Sequence, residues 1–298
     1  MRIFVTGATG FIGSAVVNEL LTAGHEVIGL ARSEEAASAL LKAGVTVHRG
    51  SLDNPESLRS GAEAADGVIH TAFNHDFSNM TGAGVTDLRA VQTFGEVLAG
   101  SGRPLVVTSV IGHLAPSRIN TEEDAPDAST AGKHRIASEE EALSLASKNV
   151  RVSVLRLPPS VHGAGDRGGF VPALINVARR TGASAYVGEG ANRWAAVHRL
   201  DAARLYRLAV EAAPAGSKLH AIAEEGVSIR EIAEVIGRHL DLPVISKSVE
   251  DAPGHFGWLT HFASQNIQAS SKLTQELLGW KPEHANLLRD LEGNYFKN

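Results

Sequence analysis

The 298-residue chain contains no cysteine and only three tyrosines, at positions 186, 206 and 295. Without Cys there is no disulfide, no thiolate nucleophile, no zinc–thiolate site and no Cys-ligated iron–sulfur cluster. No apolar stretch approaches the roughly 18 residues that span a bilayer. The formal charge is −5, and Lys and Arg are spread out, so there is no basic stripe for nucleic acid or a membrane. The N-terminus is patterned as a strand, which argues against a signal peptide. HExxH and GxSxG are both missing, and "HDF" at 75–77 has no metal-ligand spacing. No metal site is expected. The expectation is a cytoplasmic protein acting on a small molecule, with no nucleic-acid or membrane partner.

What the chain does have is core material, 43% apolar residues against 20% charged, and no low-complexity segment or internal repeat. The first half alternates strand and helix patterns. "RIFVT", "EVIGL", "VTVHR", "GVIHT", "PLVVTS" and "VRVSVLRL" read as six strands. Helices are expected at 11–23, 33–43, 55–61, 85–100 and 134–148. Apolar strands alternating with helices imply a doubly wound parallel sheet covered on both faces, an α/β fold.

After Leu157 comes a Pro/Gly-rich loop, "PPSVHGAGDRGG", followed by mixed elements: helices at 170–180 and 201–212, and an isolated strand near 185–187. This divides the chain into a dinucleotide-binding unit at 1–157, with 198–215 returning to it, and a smaller α/β substrate region at 158–197 and 216–298. Trp194, Trp258 and Trp280 read as packing residues. The aromatic stretch "HFGWLTHFASQ" at 255–265 reads as core that can also cap a substrate cleft, which would suit an apolar or aromatic substrate.

"TGATGFIG" is a phosphate cradle by its chemistry. Gly7 permits the tight turn after the first strand, Gly10 lets the backbone approach a pyrophosphate, and Gly13 lets the helix pack close to the sheet. Thr9, Phe11 and Ile12 belong to the same turn, and the helix start offers free N–H groups to phosphate. At the end of the second strand, where an acidic residue would serve NAD, the run is "GLARSEE". Arg32 and Ser33 there favour the 2′-phosphate of NADP, with NAD as the alternative.

Together these segments resemble the extended branch of the short-chain dehydrogenase/reductases, often labelled the NAD-dependent epimerase/dehydratase family. "GSLDNPESL", "VIHTAF", "PLVVTSV", "VLRLPPSVHGAGD", "AAVHRLDAARLYRLA" and "LLGWKP" carry the resemblance, in order, beside the glycine motif. It implies a Rossmann-type sheet and a cofactor site. In that site Ser51 and Leu52 face the adenine, and His70, Thr71, Ala72 and Phe73 pass the ribose. Pro158, Pro159 and Ser160 cover the nicotinamide. His198 and Asp201 match a pair whose expected role is capping and packing. Arg193 is one residue out of place for a nucleotide-sugar phosphate contact. A homodimer is expected only by analogy.

The resemblance fails at the catalytic motif. The family uses Tyr in YxxxK with a Ser, and no Tyr occurs before position 186. Taking Glu139 as the Glu that follows the Lys puts Arg135 in the Lys position and Ala131 in the Tyr position. The family's Ser falls on Val110, directly after Ser109. Arg135 can hold ribose hydroxyls but cannot give up a proton, because a guanidinium stays charged. The atypical subgroup of the superfamily departs in this way. The residues placed near the lost group are Ser109, His113, Ser129, Lys133, His134 and, in the crossover loop, His162. The expected catalytic set is Ser109, His134 and Arg135, with His134 as proton donor. Two readings stay open. One is an NAD(P)-dependent oxidoreductase of a small carbonyl or alcohol; the other is an NADP-binding sensor or regulatory protein without turnover.

Overall fold

The computed structural model describes residues 1–75, 79–116 and 118–296. The first half runs β1 (Arg2–Thr6), α1 (Phe11–Thr22), β2 (Glu26–Ala31), α2 (Glu34–Lys42), β3 (Thr46–Arg49) and α3 (Pro55–Glu63). It continues with β4 (Gly67–His70), α4 (Met80–Leu98), β5 (Pro104–Val110), α5 (Ile136–Ser144) and β6 (Arg151–Leu157). The second half is β7 (Ser160–His162), α6 (Phe170–Thr181), β8 (Ser184–Val187), β9 (Arg193–His198), α7 (Arg199–Ala212), β10 (Ser217–His220) and β11 (Glu224–Ser228). It ends with α8 (Ile229–Leu240), β12 (Val244–Lys247), α9 (Ala252–Phe256), α10 (Thr260–Ser264), α11 (Lys272–Leu278) and α12 (Leu287–Asn294).

Helix starts follow their caps. Ser33 accepts from the Ala36 amide, Asn54 from Ser57 with Pro55 in the first turn, and Ser228 with Glu231 forms a capping box. α4 begins five residues before the expected 85, because Asn79 caps it through the Gly82 amide. Its early glycines hide the helical signal from propensity. The expected helix over 134–148 is broken into a 3-10 turn at Ala131–Arg135, α5, and a second 3-10 turn at Leu145–Lys148.

Seven parallel strands form the main sheet in the order β10-β6-β5-β4-β1-β2-β3, a doubly wound Rossmann arrangement. One face is covered by α1 and α7 over Val5, Ile69, Val106 and Leu155. The other is covered by α3, α4 and α5 over Phe4, Val68, Val107 and Val154. Strands buried on both faces are continuously apolar, which is why they were legible as unbroken runs. A third core fills the C-terminal region around Trp194, Ile232 and Phe256.

Three expectations are corrected. The stretch after Leu157 is not all loop, since Ser160–His162 form β7 and pair in parallel with β9. The strand near 185–187 is not isolated, since β8 pairs with β12. β10 joins the main sheet beside β6, so the boundary drawn at 216 falls before the last strand of the sheet. Each pairing joins residues far apart in sequence, which local periodicity cannot reveal.

His198 and Asp201 hold the C-terminal segment in place. His198 caps α7 by accepting from the Leu200 amide. The buried Asp201 carboxylate accepts from the amides of Glu283 and His284, each at 3.0 Å, and lies 2.8 Å from His284 Nδ1. Trp280 donates to the Asp201 carbonyl in the same clasp. Asp201→Ala orphans two amides in a partly buried turn and is expected to cost about 2–4 kcal/mol. Urea unfolding measures it, and a loss below about 0.5 kcal/mol would contradict the clasp.

Candidate functional site

At the carboxyl ends of β1 and β4 the backbone makes the cradle. Gly7 has φ +69°, and a Cβ there would lie 2.7 Å from Thr71 Oγ1 and 2.8 Å from the Ala72 amide nitrogen. A Cβ on Gly13 would collide with the Gly7 carbonyl oxygen, so this turn of α1 packs directly on the loop. Gly10 caps α1 without any side-chain bond, leaving the first amides open, and Thr9 and Gly10 are exposed. Phe11 and Ile12 are half-buried beside them. The donor set, the tight backbone and the open helix end fit a dinucleotide diphosphate.

The strand end where the resemblance places the adenosine is equally open. Arg32 is exposed, and among the described residues it has no ion pair or hydrogen bond. Ser33 uses its side chain to cap α2 and its carbonyl to accept from Arg49. Arg49 also pairs with Glu34 at 2.5 Å, which takes up one of the two nearby carboxylates. Ser51 is half-buried, with its backbone bonded to Ser57. Leu52 is half-buried, and its amide has no protein partner among the described residues.

The most connected group lies between the cradle and α4. Thr71 donates to the Thr6 carbonyl, and the Ala72 amide donates to Thr6 Oγ1. Thr6 Oγ1 lies 2.7 Å from His70 Nδ1, and His70 Nε2 lies 3.2 Å from Asp87 Oδ1. The same oxygen is 2.8 Å from Arg135, whose guanidinium carbon sits 3.9 Å over the Phe73 ring. These partners assign the proton on His70 to Nε2, donated to Asp87, with Thr6 donating to Nδ1. Burial alone would raise the Asp87 pKa. The Arg135 charge and the His70 contact outweigh it and hold this carboxyl far below its usual range. His134 is half-buried with its ring 5.6 Å from Phe73, and His75 approaches the same ring at 5.3 Å. Asp76 and Phe77 of "HDF" lie outside the described residues.

Sequence reasoning missed Asp87. It sits mid-helix at a position where a charged side chain reads as solvated, yet it is 1% exposed. Gly84, one turn earlier, was the available signal. A Cβ there would collide with the His134 carbonyl oxygen, so this glycine sets the distance between α4 and the turn carrying His134 and Arg135. Gly84→Ala, normally favourable in a helix by about 1 kcal/mol, is instead expected to destabilise and to push that turn away. A thermal midpoint equal to or above that of the parent would contradict this.

Ser109 is a correction. It is 1% exposed, and its hydroxyl lies 3.1 Å from His113 Nε2. The same nitrogen is 2.9 Å from Glu139, while His113 Nδ1 is buried without a partner. A serine relay needs the two ring nitrogens to face different groups, so this arrangement cannot activate Ser109. The strand's alternation turns Ser109 into the interior, where Glu139 also accepts from Arg156 at 2.5 Å. Pro158 is buried, and Ser160 is 3% exposed in β7, so neither side chain lies open to the cleft. His162 is likewise enclosed, 2.8 Å from Asp290. Lys133 and Ser129 are exposed, and Arg193 donates to the Gly226 carbonyl. Tyr206 is fully buried against Thr108, so no phenol replaces the missing Tyr there. Among the described residues no cluster of His, Asp and Glu could hold a metal ion, and no helix is long and apolar enough to cross a membrane.

Residues 3–222 match the model of the NAD dependent epimerase/dehydratase family. The chain belongs to that family. An uncharacterized protein of Schizosaccharomyces pombe is 52% identical over 298 residues, covering 99% of this chain and all of its own. UDP-glucose 4-epimerase of Streptomyces lividans is 26% identical, over 96% of this chain and 93% of its own. The solved structure of MoeE5 in complex with UDP-glucose and NAD superposes with TM-score 0.77 at 22% identity, covering 98% and 96% of the two chains. Membership in the NAD dependent epimerase/dehydratase family supports NAD(P)-dependent chemistry of the epimerase, dehydratase or reductase type. The fold matches that of MoeE5 over nearly the whole chain.

The interior charges predict an acid response. Burial pushes His220 down to about 3 and His198 down to about 4. Burial would raise Glu139, but hydrogen bonds from His113 and Arg156 outweigh it and hold Glu139 at about 2. The unfolded imidazoles take up protons near pH 6.5 and the unfolded carboxyl near 4.3, before the folded groups do. Stability from the histidines is therefore complete above about pH 6.5 and is lost as pH falls toward 4 and 3, with Glu139 adding to the loss below about 4.3. The thermal midpoint should decline steadily from pH 7 to 4, and His220→Gln should flatten the decline. A constant midpoint over that range would contradict the assignment.

Proposed function

We propose that this protein is an NADP-dependent oxidoreductase that reduces a small carbonyl, or oxidises the corresponding alcohol, without a tyrosine acid. The observation that carries the reading is the buried chain from Thr6 through His70 and Asp87 to Arg135. It ties the base of the phosphate cradle to the residue in the family's Lys position, and it presents a permanent cation beside Phe73. NADPH, when bound, supplies the hydride to the carbonyl carbon. Arg135 holds the ribose hydroxyls and stabilises negative charge developing on the carbonyl oxygen. His134, on the same turn and against the same ring, donates the proton to that oxygen and recovers it from solvent.

Arg32 supports the choice of NADP. Among the described residues it is a cation with no carboxylate to satisfy it, at the strand end where the adenosine ribose lies in this fold. Partly exposed Phe170, Phe262 and Trp258 support an apolar or ring-bearing substrate. Phe170 follows the crossover loop, with its ring 4.5 Å from Phe262 and 6.2 Å from Trp258. The buried Ser109 and the absent phenol favour the second reading, dinucleotide binding without turnover.

Titration with NADPH and NADH followed by a panel of apolar and aromatic carbonyls separates the two. NADPH should bind about tenfold or more tightly than NADH, and Arg32→Ala should erase most of the difference. Equal affinities in the parent protein would refute the NADP assignment. His134→Ala should lower kcat about 100-fold with little change in NADPH affinity, whereas Arg135→Ala should weaken both. An unchanged rate in His134→Ala would remove its role as acid. Tight NADPH binding with no turnover anywhere on the panel would favour the sensor.

A further inference from the structure

Helices α1 and α7 pack against each other and begin side by side, since the first residues of the two helices, Phe11 and Arg199, are in contact. The Arg199 guanidinium carbon lies 5.0 Å over the Phe11 ring. Its stem runs along the crossover loop, where a Cβ on Gly163 would sit 3.0 Å from Arg199 Cγ, and its tip reaches Gly165. Arg199 thus spans the gap between that loop and the phosphate cradle.

Three features make this a costly place for a cation. Arg199 is half-buried, and among the described residues it has no carboxylate, carbonyl or hydroxyl partner. It also stands in the first turn of α7, where the helix dipole favours negative charge. The contrast with its own helix is direct. Arg204 pairs with Glu283, and Arg207 pairs with both Glu19 and Glu211. The Phe11 ring offsets only part of the lost hydration. The uncapped start of α1 and one unsatisfied guanidinium therefore lie next to each other, with the Phe11 ring between them.

We infer that Arg199 is a further ligand-contacting residue, which grips the dinucleotide's diphosphate from the side opposite the glycine turn and brings the crossover loop down over it. The inference rests on the dinucleotide reading proposed above and extends it to a residue outside the glycine motif. In the loaded protein the diphosphate supplies the anion that the fold withholds. A guanidinium suits the task because its planar fork can bridge two phosphate oxygens while its edge stays against Phe11.

Calorimetric titration of the whole protein tests this with two ligands. NADPH carries the diphosphate, while adenosine 2′-monophosphate carries only the phosphate assigned to Arg32. Arg199→Met, which keeps the stem packing, should weaken NADPH about tenfold or more. It should leave adenosine 2′-monophosphate unchanged, and Arg199→Lys should restore part of the loss. The ligand-free thermal midpoint of Arg199→Met should be equal to or higher than that of the parent, because a half-buried unpaired charge is removed. NADPH affinity in Arg199→Met within about twofold of the parent overturns the inference. Equal weakening of both ligands, or a lowered midpoint, assigns Arg199 a structural role and overturns it too. If the parent binds neither ligand, the dinucleotide reading fails as well. If the parent binds both and only the Arg199→Met result is negative, that reading stands without Arg199.

Discussion

A carboxylate buried beneath a helix has to be matched by positive charge and hydrogen bonds, and the rest of this site is arranged around that requirement at Asp87. An isolated ion there would cost several kcal/mol. Arg135 and His70 both approach the same oxygen, which keeps Asp87 ionised and stops the guanidinium from turning away into solvent. His70 in turn leans on Thr6, the last residue of β1 before the glycine turn. The geometry of the phosphate cradle and the position of the Arg135 charge are therefore joined by one chain of hydrogen bonds that ends in an ion pair.

The fold makes that chain affordable by bringing backbones unusually close. The glycine at 84 lets α4 touch the turn that carries His134, and the glycines at 7 and 13 let α1 rest on its own loop. Interior charge follows a second pattern nearby. His113, Glu139, Arg156 and His220 form a chain that faces the core and not the cleft. The two chains carry the same residue types and both are buried, but the one containing Arg135 packs against the half-buried Phe73 ring beside the cradle. The first chain links the ends of β1 and β4 to α4 and the turn before α5, whereas the second links β6 and β10 to α5.

The family's Tyr–Lys pair is missing here: no Tyr precedes position 186, and Arg135 stands in the expected Lys position. A Tyr–Lys pair lowers the phenol's pKa so that the phenol can donate. An arginine in the Lys position cannot shuttle protons, so the proposed reduction divides charge stabilisation and proton donation between two side chains. His134 and Arg135 are adjacent in sequence and share the Phe73 ring, which makes that division geometrically economical. Arg32 and Arg199 are, among the described residues, cations without a protein anion, and they flank the glycine cradle at the β2 end and the α7 start.

Five buried strands and the edge strand β3, the helices between them, the phosphate turn and the absence of a tyrosine acid were all legible in the amino-acid order. Each depends on local periodicity, on glycine stereochemistry or on simple composition. The short strand at Ser160–His162, the pairing of β8 with β12 and the place of β10 in the main sheet were not legible, because their partners lie far away in the chain. The same holds for the site. The sequence nominated Arg135 and His134 by alignment, but it equally nominated Ser109, whose hydroxyl the strand turns inward. Asp87 and Arg199 carry no sequence signal of their own, one lying in a helix with early glycines and the other between the family-matched His198 and Asp201. Only tertiary packing decided that Asp87 is buried under Arg135 and that Arg199 lies across Phe11, since burial and the pairing of charges are properties of neighbours in space.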